Sequence, residues 1–170
     1  MTNVLITGNL TILGAQNVTD NSNIKVVILQ QRVPNGSGSG ANLAGMNDRT
    51  LNYLIDPFNL VTLDAGNLFN FNETGTYNIN AMGSTYSVGK NQIYITDDSN
   101  VVVKVGSSAY NIDSAVWCGK SILNDTLEVT DTGQSYKMRH YRQGVGNFGN
   151  ATGSGTDQIY AQIVAIKISE

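Results

Sequence analysis

Charge is scarce in this chain. Only 14% of its 170 residues are Asp, Glu, Lys or Arg, against roughly 25% in an ordinary soluble domain. The balance is mildly acidic, with 13 acidic and 10 basic residues, so no basic footprint points to nucleic acid. Cysteine occurs once, which excludes an internal disulfide and fits assembly in a reducing cytosol. One Cys and one His cannot fill a zinc site. With only two prolines, a proline-rich linker or collagen-like stalk is also excluded. No apolar run approaches the ~20 residues of a bilayer-spanning helix. The first residues lack a charged segment followed by an apolar core, so no secretory leader is expected. No window keeps the 3.6-residue apolar period of an amphipathic helix.

What the chain has instead is turn chemistry and β signals. It carries 21 Asn and 18 Gly, residue types that tolerate positive φ and favour turns. Many turns imply many short strands, and a 41% hydrophobic content supplies one core. Two segments are expected: residues 1–23 and residues 24–170. In the first, Val4-Leu5-Ile6-Thr7 and Leu10-Thr11-Ile12-Leu13 flank Gly8-Asn9, a hairpin signal. A lone hairpin is marginal in water, so this ribbon needs something to lie on.

From Ile24 onward strand candidates follow closely: Ile24–Val33, Thr50–Ile55, Leu60–Leu63, Leu68–Phe71, Thr76–Met82, Gln92–Thr96 and Val101–Val105. Ala115–Leu123, Thr126–Val129, Ser135–Arg142 and Gln158–Ser169 complete the set. About ten short strands with turn-rich connections predict an all-β antiparallel sandwich or barrel. In the last strand Ile159, Ala161, Ile163 and Ala165 alternate with Tyr160, Gln162, Val164 and Ile166. Apolar residues on both faces suit a central strand, or one buried again at a subunit interface. Two connections are long and Gly-rich, Pro34–Asp48 and Gln143–Asp157, and loops of that length are usually functional or disordered.

Catalytic constellations do not assemble. Gly119-Lys120-Ser121 resembles the tail of a phosphate-binding loop, but Ser114 stands where the first Gly is needed and a strand follows. Cys118 and His140 lie in separate strands without a supporting signature. Paired carboxylates for glycoside chemistry are wanting, with Glu only at positions 73, 128 and 170. Asp97-Asp98-Ser99-Asn100 could hold calcium weakly but reads better as a β-turn. Lys137 and Arg139 project to one side of their strand, with His140 on the other, and read as a solvated face. No catalytic residue, cofactor or metal is expected.

Several segments, in order, carry a resemblance. Arg49-Thr50-Leu51-Asn52 resembles the R-x-L-N segment of small β domains in bacteriophage fibre and particle-surface proteins. Thr74-Gly75-Thr76-Tyr77-x-Ile79-x-Ala81 and Tyr86-x-Val88 match the next strands. Met138-Arg139-His140 looks like that group's L-Q-H strand, and Phe148-Gly149 leads into Ile159-Tyr160-Ala161-x-Ile163. The match departs at Gly89-Lys90-Asn91, where a His is common, and at Arg142, where a Cys is frequent. In strand plan the domain is similar to tumour-necrosis-factor-like and complement globular-head jelly rolls, which form three-fold trimers. Leu5 to Gly14 separately looks like the T-G-N-L-T-V-x-G segment of phage fibres.

The resemblance implies a trimeric jelly roll on a phage particle, assembled in the host cytoplasm and docked to other virion proteins through residues 1–23. Anchor candidates are Val4, Ile6, Leu10 and Ile12, and Tyr160 is the candidate for the trimer interface. Two roles stay open: a capsid decoration, cement or head-fibre protein, or a fibre-tip adhesin for a host glycan or receptor. If the first and last strands pair antiparallel, both Gly-rich loops emerge at one end. That end is the candidate contact surface, with Asn42, Arg49, Asn147 and Phe148 as its residues; otherwise the loops are plain connections. Deleting residues 1–23 is expected to leave the β domain folded by circular dichroism and the particles bare. Particles normally decorated by the truncated protein would place the anchor elsewhere.

Overall fold

A computed structural model describes residues 24–39, 41–42, 44–64, 67–86, 89–110, 118–144, 146–149, 153 and 155–169. The regular structure of these residues is strand throughout. In chain order the strands are β1 (Val26–Val33), β2 (Ala41–Asn42), β3 (Gly45–Asp48), β4 (Tyr53–Ile55), β5 (Val61–Leu63), β6 (Phe69–Phe71) and β7 (Gly75–Tyr86). There follow β8 (Lys90–Asp97), β9 (Val102–Val105), β10 (Ala109–Tyr110), β11 (Cys118–Val129), β12 (Ser135–Arg142), β13 (Gly146–Asn147) and β14 (Gln158–Ser169). Residues 1–23, with the expected anchor side chains, lie outside the described residues.

Two antiparallel sheets form a jelly-roll sandwich. The first runs β11-β7-β14-β1-β4, and the short β13–β2 pair continues from the far end of β7. The second is centred on β8 and β12, with β9 and β10 beside β8, and with β3, β6 and β5 on the β12 side. The antiparallel pairing of first and last long strands is observed, with Val27 opposite Ala165 and Leu29 opposite Ile163.

The side-chain period of two decides what each strand buries. In β7, Tyr77, Ile79 and Ala81 point inward while Asn78, Asn80 and Met82 do not. In β14, Ala161, Ile163 and Ala165 are fully buried and Val164 and Ile166 lie on the opposite face. The second sheet answers with Phe69, Phe71, Ile93, Ile95, Tyr136 and Met138. Phe71 lies 4.3 Å from Tyr77 and 5.9 Å from Tyr136 between ring centroids, so aromatic contacts join the two layers.

Two local features differ from the sequence reading. β11 runs unbroken through Asn124-Asp125, because its ladder with β7 continues from Cys118 to Val129. Asp125 is accommodated at the edge by Lys104, 3.3 Å away, and by the Thr126 amide. The connection 34–48 also contains β2 and β3; β3 exists through its pairing with β12 and not through any apolar pattern of its own.

Ile163 sits at the centre of the core, opposite Leu29 and Ala81. Ile163→Ala should cost about 2–5 kcal/mol, read as a shift of the urea unfolding midpoint at constant slope.

Candidate functional site

The two Gly-rich connections meet at one end of the sandwich and bond to each other. The Ser39 amide donates to the Gly149 carbonyl at 3.3 Å, and the Gly155 amide donates to Asn35 Oδ1 at 3.0 Å. Gly146 stands opposite Asn42, and Asn147 opposite Ala41, in the β2–β13 pair. Tyr160 closes this end from below: its hydroxyl donates to the Ser37 carbonyl at 3.2 Å. Its ring lies so close to Gly149 that an added Cβ there would meet Tyr160 Cδ1 at 1.9 Å, so only glycine fits.

Beneath the loops lies a buried cluster of cations and one aromatic ring. Arg49 is placed by its amide, which donates to the Met138 carbonyl at 2.9 Å. Its guanidinium lies over the Phe148 ring, 3.7 Å from the centroid. It also donates to Gln31 Oε1 at 2.9 Å and to the Ser84 carbonyl. Nε and Nη2 both reach His140 Nδ1, at 3.1 and 2.8 Å. The His140 ring stacks on Phe148 with centroids 5.2 Å apart. Arg142 lies 4.7 Å from the same ring centroid and donates to the Gly146 carbonyl at 2.6 Å. Gly83 makes room for this arrangement, since a Cβ there would sit 2.9 Å from His140 Nδ1.

Arg49 and Arg142 are both 0% exposed. Burial, and then the charge of Arg142, lowers the Arg49 pKa well below its ordinary value; burial alone lowers that of Arg142. The guanidinium groups are stabilised by carbonyl dipoles and by the electron-rich face of Phe148. His140 must then stay neutral. Burial first, and the two arginines next, push its pKa down to about 2. Because Nδ1 accepts from Arg49, the ring proton sits on Nε2 and points to Asn91 Oδ1, 3.1 Å away.

These constraints fix what the site can do. With both ring nitrogens engaged and so low a pKa, His140 is poorly suited to act as a general base near neutral pH. Among the described residues no group of His, Cys, Asp and Glu is placed to hold a metal. Asp97 caps the turn before β9 by accepting from the Val101 amide at 2.7 Å.

Two of the four candidate contact residues are placed differently from what a surface site requires. Arg49 and Phe148 are 0% and 2% exposed and face inward, so as exposed contacts they are corrected. The physical reason is that each satisfies the other: the cation needs a desolvated ring and the ring needs burial. Asn147 is half-buried in β13 opposite Tyr86, and Asn42 is opposite Gly146 in β2. Tyr160 is likewise buried within its own chain, and its hydroxyl is occupied by Ser37 and Gln158. Arg142, Asn91 and Gln31 belong to this cluster but were not among the expected site residues. The alternation of β12 carried a signal, because His140 and Arg142 share the face of core residues Tyr136 and Met138.

A neutral buried histidine makes stability depend on pH. The unfolded chain binds a proton near pH 6.5 and the folded chain does not, so stability is full above pH 6.5 and falls as the pH drops. Between pH 7 and 5 the loss should be about 2 kcal/mol, measured by urea unfolding. His140→Gln should flatten that dependence, because it removes the chain's only histidine.

No protein-family model matches the sequence, and no curated protein matches it. Solved structures do match in fold. The Eiger TNF from S. frugiperda aligns with a TM-score of 0.60 at 12% identity, covering 86% of this chain and 94% of that one. Murine APRIL aligns at 0.53 and 11% identity, covering 85% and 99%. The globular domain of zebrafish complement 1qA protein aligns at 0.51 and 12%, covering 85% and 97%. At these identities the likeness is one of fold: the chain has a jelly roll of the tumour-necrosis-factor and complement-head type.

Proposed function

We propose that the chain is a non-enzymatic homotrimeric structural protein of the bacteriophage particle surface, a capsid decoration, cement or head-fibre module held by residues 1–23. The phage assignment rests on the two sequence resemblances, in residues 5–14 and 25–169. Support for a non-enzymatic role comes from the cluster at the loop end, whose histidine is held neutral with both nitrogens engaged.

The observation that carries the trimer is the outer face of the first sheet. Cross-strand pairing aligns Val26 with Ile166, Ile28 with Val164, and Ile55 with Ile28 on that face. Met82 and Ile122 continue it across β7 and β11. Asn78, Asn80 and Asn124 interrupt this face, but its contiguous apolar part across β4, β1 and β14 suits cover by another chain. A second, unlike patch lies at the β9 edge, where Val101, Val102, Val103 and Val105 are exposed. Two unlike apolar patches on one chain suit a head-to-tail contact that closes into a ring, burying both and leaving no polymerising edge.

Such an interface should bury roughly 2,000 Å² or more, and sedimentation of the purified protein should give one species of three chains. Ile28→Asp with Val164→Asp should convert it to monomers. A stable folded monomer of the natural sequence at micromolar concentration would contradict the trimer. A reconstruction of the particle should then place the chain on the head, whereas a position at a fibre tip would favour the adhesin role.

A further inference from the structure

Alternation in β8 sets Lys90, Gln92 and Tyr94 on the outer face of the second sheet, because Asn91, Ile93 and Ile95 are buried. Neighbouring strands add their cross-strand partners. Tyr110 of β10 stands opposite Lys90, and Tyr141 of β12 stands opposite Gln92. Together with Ser108 and Ala109 these side chains line an open cleft of about 400 Å³, within the ~300–1,000 Å³ usual for small-ligand sites.

The floor of the cleft is hydrogen-bonded to the strands around it. Gln92 Nε2 donates to the Gly106 carbonyl at 2.7 Å, and its Oε1 accepts from the Tyr94 hydroxyl at 2.7 Å. Asn91 Nδ2 donates to the Ala109 carbonyl at 3.3 Å while its Oδ1 faces His140. The cleft is thus tied through His140 to Arg49 and the buried cluster.

The walls are different. Tyr110 is 65% exposed and Tyr141 39%. Among the described residues, no hydrogen bond or ion pair engages the side-chain hydroxyls of Tyr110, Tyr141 and Ser108 or the ammonium of Lys90. Among the described residues that line the cleft, Lys90 is the only charged one. The carboxylate of Asp48, one residue row away, is already held by Arg139 at 2.8 Å and Lys137 at 3.9 Å.

We infer that this cleft binds a saccharide carrying a carboxylate, with Tyr110 and Tyr141 stacking on sugar rings and Lys90 pairing with the acid. The inference rests on the surface-protein reading above and names a ligand class for it. Among the described lining residues none is Leu, Ile, Val or Phe, so a purely apolar ligand would leave the cleft's hydroxyls unsatisfied. Tyrosine offers a stiff apolar face and a polar tip at low entropy cost, which suits a ligand with C–H faces and hydroxyl edges. One ammonium, without a helix N-terminus or a second cation, suits a single carboxylate better than a polyphosphate.

The test titrates the full chain with two acidic probes, digalacturonate and sialyllactose, and with the neutral counterparts digalactose and lactose. Nuclear magnetic resonance shifts or calorimetry give the affinities. At least one acidic probe should bind about 10-fold more tightly than its neutral counterpart. Lys90→Gln should erase that preference and keep the neutral affinity, while Tyr110→Ala with Tyr141→Ala should weaken both about 10-fold or more. The tyrosine variant should still sediment as the natural protein does, since both residues are exposed. Failure of both acidic probes at up to ~10 mM, or unchanged binding by the double tyrosine variant, would overturn the inference. Sedimentation and particle location are read separately, so a failed titration leaves the structural proposal standing, and a misplaced chain leaves the cleft standing.

Discussion

The end of this sandwich where the long loops gather depends on burying two guanidinium groups against one phenyl ring. Arg49 and Arg142 share the Phe148 ring, and carbonyl oxygens, one side-chain amide and one imidazole accept their hydrogen bonds. An arginine in such a place would be costly without those partners. With them, three parts of the chain distant in sequence are held at fixed positions: the segment after β3, the end of β12, and β13. The neutrality of His140 follows from the same constraint, and so does the need for Gly83 beneath it.

The consequence for function is a separation of roles between inside and outside. Arg49, His140 and Phe148 all face inward. What they hold is a scaffold whose outer faces carry the chemistry available to partners. One outer face carries an apolar patch built from Val26, Ile28, Val164 and Ile166. The other is polar and aromatic, with Tyr110, Tyr141 and Lys90 around a cleft. In the proposed trimer the first-sheet face meets the β9 edge of the second sheet, and the cleft between β10 and β12 is left as the open face. The link from His140 through Asn91 to Ala109 means that the open face is positioned by the buried cluster.

Much of the fold was legible because alternation and β-branched content mark strands directly. Ser135–Arg142 and Gln158–Ser169 were bounded by turn residues, and both strands match those bounds. Two apolar faces on the last strand correctly pointed to a central position, between β7 and β1. β3 was not legible, because Gly45-Met46-Asn47-Asp48 has no apolar period and owes its conformation to β12. The inward turn of Arg49 was hidden for another reason: arginine is rarely buried, and its partners lie far along the chain. The cleft was half legible. Lys90, Gln92 and Tyr94 share a face by simple parity, but only the cross-strand register brings Tyr110 and Tyr141 to them.

Whether Arg49 and Phe148 act as an internal tie can be measured by a double-mutant cycle between them. Arg49→Met keeps much of the side chain's bulk without its charge, and Phe148→Leu keeps an apolar group without the ring. A tie made by cation and ring should appear as a coupling of about 2 kcal/mol in unfolding free energy. Additive losses, with the ring and the charge contributing independently, would contradict it.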